Sequence, residues 1–243
     1  MSWYQDWFNS ENYLRVYKHR DDTEAERLVE LIINNTELEP NSKILDMACG
    51  SGRHSIIFAK KGFDVTAIDI SQRLISDAKT NAEQNDVKIN FILTDILKFQ
   101  TSDRFKLALN LFTSIGYFES DDDNFQVILN AYQLLDKGGY FVIDYFNKKY
   151  LTANLIPTTV FSENGYRITQ NRSIHKHRVI KDIMIEKNGS IEEFYESVRL
   201  YNYDEMLDYF KKAGFSIIKE FGDYNGNKFN HDSSPRLIIF GRK

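Results

Sequence analysis

The sequence contains few of the features that mark several large classes of protein. Its 243 residues include one cysteine and three prolines, and its formal net charge is −4. One cysteine cannot form an internal disulfide, which is typical of a reducing compartment. No stretch of about 18 apolar residues is present, as a membrane-spanning helix would need, and the first residues lack the basic and then apolar pattern of a secretory signal. We therefore expect a cytoplasmic protein without a membrane segment.

The balance of charge argues against one class of partner. Proteins that bind nucleic acid generally present a basic surface, whereas 35 Asp and Glu residues outnumber 31 Lys and Arg residues here. Nucleic acid is therefore not a favoured partner, although a local basic patch could override the balance. The sequence has no internal repeat and no low-complexity tract. Its length suits one α/β domain with a modest insertion.

From residue 43 onward, short apolar stretches alternate with stretches of helical periodicity. Strands that alternate with helices at this spacing form a parallel sheet with helices on both faces. Two closing strands are joined by a polar loop without a helix, so they are predicted to pair antiparallel. The predicted fold class is therefore α/β, a doubly wound, mostly parallel, seven-stranded sheet. The predicted strands are 43–48, 63–70, 87–93, 105–112, 140–146, 215–221 and 236–240, and the predicted helices among them are 53–61, 71–85, 121–136 and 203–213.

Two regions fall outside this alternation. Residues 155–201 follow the fifth strand and are predicted to form a β insertion. Its hairpin turn is expected at Asn188-Gly189, because this dipeptide favours two-residue turns. Residues 1–35 include many aromatic side chains and are predicted to form helices. The whole chain, 1–243, is then a single domain, in which Gly138-Gly139 is expected to close the helix at 121–136.

The most informative segment is a strand that leads through a glycine turn into a helix, over residues 44–55. Gly50 and Gly52 allow a ligand to lie against bare backbone at the carboxyl end of a strand, where open parallel sheets bind their ligands. Asp69, at the end of the next strand, can accept hydrogen bonds from both hydroxyls of a ribose. The combination predicts a ligand that contains a nucleoside, and a glycine turn without any ligand is the alternative.

Two nucleoside ligands compete for this turn. A nicotinamide or flavin site has a third glycine where this chain has Ser55, and it holds a pyrophosphate at the helix N-terminus. Asp46 lies at the strand end on the ligand side. A carboxylate there would repel a pyrophosphate but suits a ligand with an ammonium and a sulfonium. S-adenosylmethionine is therefore the predicted cofactor, and NAD is the alternative.

Residues 43–146 resemble the class I S-adenosylmethionine-dependent methyltransferases. Ala48 stands where that family more often has a glycine. The insertion after the fifth strand and the two final antiparallel strands are similar to the branch of the family that acts on small molecules. The resemblance therefore implies a methyltransferase with a small-molecule substrate. It is carried by five segments in the family's order, which are 46–52, 69–70, 94–96, 111–114 and 134–144.

The resemblance also implies a set of cofactor contacts. In similar enzymes the segment that contains Asp95 holds the adenine, and the end of the fourth strand lies beside the methionine part. N-terminal helices cover the cofactor there, so Tyr17 and Arg20 are predicted to contact its carboxylate, with a plain surface role as the alternative. The predicted cofactor-binding residues are Tyr17, Arg20, Asp46, Ala48, Cys49, Gly50, Gly52, Asp69, Ile70, Asp95, Ile96 and Phe112.

Methyl transfer requires alignment more than it requires a catalytic side chain. The cofactor supplies a good leaving group, so the protein mainly aligns the reacting atoms and excludes water. A general base is needed only if the acceptor arrives protonated. Tyr117, Tyr145 and His231 are the candidate catalytic residues, and walls of an apolar pocket are the alternative for the two tyrosines. No residue is assigned to a metal.

The insertion contains a local reversal of charge. Residues 164–181 include five Lys or Arg residues and no Asp or Glu. This pattern favours an anionic acceptor, and a solvated strand face is the alternative. The insertion serves either as a substrate lid or as a dimer contact, so the chain is predicted to be a monomer or a homodimer. Two other functions stay open, a methyltransferase acting on protein or RNA and a non-catalytic module that binds S-adenosylmethionine.

Overall fold

The computed structural model describes residues 3–17 and 22–243. Those residues form eight helices and eleven strands. The elements are α1 (Trp3–Asn9), α2 (Glu11–Val16), α3 (Asp22–Asn34), β1 (Lys43–Met47), α4 (Arg53–Lys60), β2 (Asp64–Asp69), α5 (Gln72–Gln84), β3 (Asn90–Leu93), β4 (Phe105–Asn110), α6 (Asp121–Leu134), β5 (Leu135–Phe146), α7 (Lys148–Ala153), β6 (Thr158–Glu163), β7 (Tyr166–His175), β8 (Arg178–Lys187), β9 (Ser190–Arg199), α8 (Tyr203–Ala213), β10 (Ser216–Phe221) and β11 (Arg236–Arg242).

Seven of the strands form one sheet in the order β3-β2-β1-β4-β5-β11-β10. Within this sheet β11 runs antiparallel to both of its neighbours, and the other pairs are parallel. The predicted fold class is therefore confirmed, as is the antiparallel pairing of the two closing strands. The strand order reverses between β1 and β4, because β2 and β3 extend from one side of β1 and the later strands from the other. Open α/β sheets bind ligands outside the carboxyl ends of the strands at such a point.

The strand β5 divides the interior into two cores. Phe141 and Ile143 pack with side chains of α6 and α8, whereas Tyr140 and Val142 pack with side chains of α3 and α4. Successive residues of a strand point to opposite faces, so one apolar run supplies both cores. Each fully buried large apolar side chain stabilises the fold by about 1.5–3 kcal/mol. The two cores fix the strand ends that carry the site.

The predicted role of Gly138-Gly139 is wrong. The helix α6 ends at Leu134, and the chain enters β5 directly at Leu135, so both glycines lie inside the strand. Leu135 is buried and pairs with Phe105, and the register between β4 and β5 shifts just after this pair. The glycines accommodate that irregularity, because a Cβ atom on Gly139 would lie 3.0 Å from the carbonyl oxygen of Asp136.

The residues of the predicted insertion form a second, four-stranded antiparallel sheet in the order β6-β7-β8-β9. Its turn at Asn188-Gly189 has φ angles of 51° and 83°, as the predicted two-residue hairpin requires. The helices α1 and α2 pack on this sheet through a third core, which includes Trp7, Val16 and Ile183. No helix in the described ranges 3–17 and 22–243 is both long and apolar enough to cross a membrane.

Candidate functional site

The turn after β1 has three residues in left-handed backbone, a region that favours glycine. The φ angles are 69° at Ala48, 59° at Gly50 and 81° at Gly52. A Cβ atom on Gly52 would lie 3.1 Å from the Cβ atom of Ala78, so this glycine lets α4 pack closely against α5. A Cβ atom on Gly50 would meet nothing within 4 Å. The bare backbone of Gly50 therefore faces open space.

Asp69 ties the end of β2 to this turn. Its Oδ2 atom accepts a hydrogen bond from the backbone N–H of Gly50 at 2.8 Å, and its Oδ1 atom accepts one from Ser71 at 2.8 Å. Burial raises the pKa of this carboxyl, and the N–H groups of Ser71 and Gly50 oppose the rise. A carboxylate oxygen can accept more than one hydrogen bond. The side chain thus lies where it can hold the turn and accept from two neighbouring hydroxyls.

Asp46 is the second carboxylate beside the turn, and it is almost fully buried. The hydroxyl of Ser55 donates to its Oδ2 atom at 2.6 Å. Burial raises the pKa of Asp46 to about 6, the hydrogen bond from Ser55 opposes the rise, and the charge of Asp69 adds to it. Two carboxylates in one buried region favour a cationic ligand and disfavour a pyrophosphate.

These groups line a pocket with a volume of about 500 Å³. It lies at the carboxyl ends of β1, β2, β3 and β4, as the strand order requires. Of the predicted site, Gly52 does not line the pocket, and Arg20 lies outside the described residues. The predicted cofactor residues that do line it are Tyr17, Asp46, Ala48, Cys49, Gly50, Asp69, Ile70, Asp95, Ile96 and Phe112.

The three candidate catalytic residues are separated by the structure. Tyr117 lines the pocket. Tyr145 is fully buried in the core beneath it, and its hydroxyl donates to the carbonyl oxygen of Arg199. Burial raises the pKa of the Tyr145 hydroxyl above its ordinary value. His231 is exposed, does not line the pocket, and packs edge-on against the ring of Tyr203 at 4.4 Å. Of the three, Tyr117 alone is placed to touch a bound molecule.

Sequence reasoning missed the group that shapes the loop after β4. Phe112 and Thr113 both have left-handed backbone, with φ angles of 59° and 60°. Asp144 is fully buried and holds this loop, because its Oδ2 atom accepts from the N–H of Phe112 at 3.0 Å. The same carboxylate accepts from Arg236 at 2.8 Å and from the hydroxyl of Tyr224 at 2.9 Å. An acidic residue within the apolar run of β5 was the available signal.

The N-terminal segment, residues 3–17, forms one wall of the pocket. Its α1 helix rests on the pocket rim, where the hydroxyl of Ser71 donates to the carbonyl oxygen of Phe8 at 2.8 Å. The hydroxyl of Tyr17 donates to Glu196 and accepts from Lys181, both in the four-stranded sheet. The predicted contact of Tyr17 with the cofactor carboxylate stays a prediction. The residues of the segment that line the pocket are Tyr4, Phe8, Tyr13, Leu14 and Tyr17.

Two basic side chains of the insertion, Arg178 and Lys181, have partners within the protein. Arg178 donates to carbonyl oxygens of residues 116–118 at 3.0–3.4 Å and to the hydroxyl of Ser197 at 2.7 Å. Lys181 forms a salt bridge of 2.7 Å with Glu196. Neither side chain lines the pocket. Arg178 thus joins the insertion to the loop before α6, and Lys181 joins it to the N-terminal segment through the hydroxyl of Tyr17.

The pocket residues fit S-adenosylmethionine by their chemistry. Asp69 offers two oxygens for ribose hydroxyls, Asp46 offers a buried carboxylate for an ammonium, and Gly50 leaves space where a side chain would intrude. Among the described residues, no group of three His, Cys, Asp or Glu side chains is arranged to hold a metal ion. Fold and pocket together define an α/β enzyme that binds a cationic nucleoside cofactor.

Comparisons with known proteins identify the family. The model of the methyltransferase domain family matches residues 38–196. A ubiquinone biosynthesis O-methyltransferase of Rickettsia felis is 28% identical over 142 residues, which are 58% of this chain and 57% of that protein. The crystal structure of an S-adenosylmethionine-dependent methyltransferase from Clostridium acetobutylicum is similar with a TM-score of 0.80 at 18% identity, over 95% of each chain. CalS10, an amino pentose methyltransferase from Micromonospora echinaspora, gives 0.70 at 16% identity, over 96% of this chain and 98% of that one.

The chain belongs to the methyltransferase domain family, and it is a class I S-adenosylmethionine-dependent methyltransferase. Its cofactor is S-adenosylmethionine. The predictions of family, enzyme class and cofactor are therefore confirmed.

Proposed function

We propose that this enzyme transfers the methyl group of S-adenosylmethionine to a small-molecule acceptor by in-line displacement. The observation that carries the proposal is the shape of the pocket, which has about 500 Å³ and has the chain's own N-terminal segment as a wall. Pockets of about 300–1,000 Å³ take small ligands. A protein or RNA acceptor would need an open surface at the pocket, whereas the side chains of Tyr4, Phe8 and Tyr13 line the pocket of this chain.

The relatives described above support the same class of acceptor. One is named for an amino pentose and the other for ubiquinone biosynthesis, and both are thus described as acting on small molecules. The two acceptors differ in chemistry, so they support the size of the substrate and not its identity.

The residues of this chain bind, orient and exclude water. When bound, S-adenosylmethionine supplies a methyl group on a sulfonium, which is a good leaving group. Asp46 would stabilise the positive charge of the cofactor beside the turn, and Asp69 would accept from its ribose hydroxyls. The rings of the N-terminal segment keep water from the reacting atoms, as an alignment mechanism requires.

Tyr117 is the side chain that we propose to orient the acceptor. It lines the pocket and lies between the rings of Trp3 and Phe8, whose centroids are 5.8 Å and 5.4 Å from its own. A phenol can both donate and accept a hydrogen bond, so it can hold an amine or a hydroxyl in line with the methyl group. Replacing it with phenylalanine would keep the packing and remove that contact.

An anionic acceptor stays a prediction. Arg178 and Lys181, two of the cations that suggested it, are used within the protein. Arg172 is half-buried and donates to Thr159 and Gln170, and it forms no salt bridge with any residue in the described ranges. The variant Arg172→Gln tests the idea, because loss of a cation that binds the acceptor would raise the KM for the acceptor.

A transfer assay with labelled cofactor tests the proposed function. Purified enzyme is incubated with methyl-labelled S-adenosylmethionine and either the metabolite filtrate or the macromolecular fraction of a cell extract. We expect label in the filtrate and none in protein or RNA. Label in the macromolecules would overturn the proposal. Tight binding of S-adenosylhomocysteine without transfer to either fraction would favour the non-catalytic module.

A further inference from the structure

The insertion affects the pocket indirectly. All of residues 155–201 are described, and none of them lines the pocket. The N-terminal segment lies between the two, because its rings line the pocket on one side and pack on the four-stranded sheet on the other. The insertion can therefore affect cofactor binding only through neighbouring segments, which include residues 3–17 and the loop at 116–118 that Arg178 contacts.

One buried carboxylate joins the insertion to the N-terminal segment. Glu196 of β9 is 6% exposed. Its Oε1 atom accepts from the indole N–H of Trp7 at 2.7 Å and from the hydroxyl of Tyr17, and its Oε2 atom accepts from Lys181 at 2.7 Å. Lys181 also donates to the hydroxyl of Tyr17. Trp7 within α1 and Tyr17 directly after α2 thus both contact a single ion pair of the sheet.

Glu196 is held in its charged form. Burial alone would raise its pKa, but the charge of Lys181 and the hydrogen bonds from Lys181, Tyr17 and Trp7 lower it. Arg172 also lies on this face of the sheet. Burial lowers its pKa, and interactions with Tyr17 and Glu196 oppose that shift. The carboxylate therefore compensates cations in an otherwise aromatic interface.

The hydrogen bonds around Glu196 fix the orientation of the N-terminal segment on the sheet, which apolar packing alone does not. Trp7 packs on Phe194 at 4.7 Å and on Tyr13 at 5.5 Å, and contacts of that kind tolerate sliding. Hydrogen bonds to a charged group are stronger and depend on angle. They fix how α1 and the residue after α2 lie on the sheet, and hence where Phe8 and Tyr17 stand in the pocket.

We propose that Glu196 is a positioning residue for cofactor binding: with Lys181 it anchors Trp7 and Tyr17, and so holds the N-terminal segment closed over S-adenosylmethionine. The residue touches no ligand itself. It acts through the segment, and its loss should speed the release of the bound cofactor. Its role concerns the confirmed cofactor and does not depend on which acceptor the enzyme uses.

The chain carries its own probe for this test. Its two tryptophans, Trp3 and Trp7, both lie in the N-terminal segment, so intrinsic tryptophan emission reports on that segment alone. The variant Glu196→Gln keeps the size of the side chain and an acceptor oxygen, but it removes the charge. We expect a red-shifted tryptophan emission and about tenfold weaker binding of S-adenosylhomocysteine, which corresponds to about 1.4 kcal/mol. The loss of affinity should come from a faster dissociation rate.

A matched variant on the same sheet separates positioning from general stability. Glu186 is half-buried and forms an ion pair with the exposed Arg167 at 3.8 Å, so Glu186→Gln removes a charge of the same kind away from Glu196. It should leave emission and affinity unchanged. The double variant Glu196→Gln with Lys181→Met removes both buried charges and with them the charge-assisted contacts to Trp7 and Tyr17, so its dissociation rate should stay as high as that of the single variant.

Two results would overturn the proposal. One is a folded Glu196→Gln protein whose melting temperature falls while its affinity for S-adenosylhomocysteine stays within about twofold of the parent. Glu196 would then contribute to stability and not to cofactor binding. The other applies if the single variant does not fold. The double variant and a separate Tyr17→Phe variant are then measured, and an unchanged dissociation rate of S-adenosylhomocysteine in both would exclude an anchoring role.

Discussion

The two halves of the cofactor pocket are built in different ways. The half at the ends of β1 and β2 is local, since Asp46, Gly50 and Asp69 lie within one short stretch of chain. Asp69 accepts from the N–H of Gly50, and its charge acts on Asp46. The other half is assembled from distant segments. The N–H of Phe112 donates to Asp144, 32 positions away in the sequence, and the hydroxyl of Tyr17 donates to Glu196, 179 positions away.

This difference indicates that the local half of the pocket recognises the cofactor and that the distant half retains it. The local half supplies the chemistry that matches a nucleoside and a positive charge. The distant half supplies shape, because it holds the loop at Phe112 and Thr113 in left-handed backbone and ties the N-terminal segment to the four-stranded sheet. Variants in the two halves should therefore fail in different measurements.

The largest effect is expected at Asp144, in the distant half. Asp144→Asn removes the charge opposite Arg236, and the pair is buried on the carboxylate side. Breaking a buried pair leaves a charge without compensation, which costs about 3–5 kcal/mol. We expect the free energy of unfolding, measured with urea, to fall by about 3 kcal/mol. Asp208→Asn breaks an exposed pair with Lys212 and should cost under about 0.5 kcal/mol; equal costs would contradict the assigned role.

Asp69 should give the next largest effect, in binding and not mainly in stability. Asp69→Ala removes the acceptor for the N–H groups of Gly50 and Ser71, and also the acceptor that we propose for the ribose hydroxyls. Hydrogen bonds to a charged group contribute about 1.5–3 kcal/mol each, so we expect at least about 100-fold weaker binding of S-adenosylhomocysteine by calorimetry. Asp103→Ala, at an exposed aspartate paired with Lys43, is the control. A loss below about tenfold would mean that the sugar is held elsewhere.

The same contrast decides what could be predicted from the sequence. The alternation of strands and helices predicts the sheet, because each element's periodicity is local. The glycine turn and Asp69 are predicted for the same reason. Asp144 and Glu196 are not, since their partners at 236 and 17 come near only after folding. Tyr145 is placed near the site by position along β5 but points into the core, because adjacent strand residues face opposite sides.

The pKa of Asp46 predicts a pH dependence that belongs to the local half. Burial raises this pKa to about 6 in the protein without ligand, and a bound cation favours the ionised form. Below that pH, binding must release a proton, so the affinity for S-adenosylhomocysteine should fall by about tenfold between pH 7 and pH 5. Asp46→Asn should bind weakly at both values. If the parent protein had the same affinity at pH 7 and pH 5, the positive charge of the cofactor would lie away from Asp46.

The linked effect on stability has the opposite trend. A carboxyl with a raised pKa in the folded state takes up protons more readily there than in the unfolded chain. The contribution of Asp46 to stability is therefore present below about pH 4 and is lost as the pH rises through about 6. Urea titrations of the parent and of Asp46→Asn across this range would separate the contribution of Asp46 from those of the other carboxyls.

The smallest effect is expected at Ala48, where the local half departs from the common family pattern. Its φ of 69° costs a non-glycine residue about 1–2 kcal/mol, while glycine adds about 0.5–1 kcal/mol of unfolded-state entropy. Ala48→Gly should therefore stabilise the protein by about 0.5 kcal/mol. Ala59→Gly, in the helix α4, should instead destabilise it by about 1 kcal/mol. If both changes destabilised the protein equally, strain at Ala48 would be absent, and the departure from glycine would have no energetic cost in this turn.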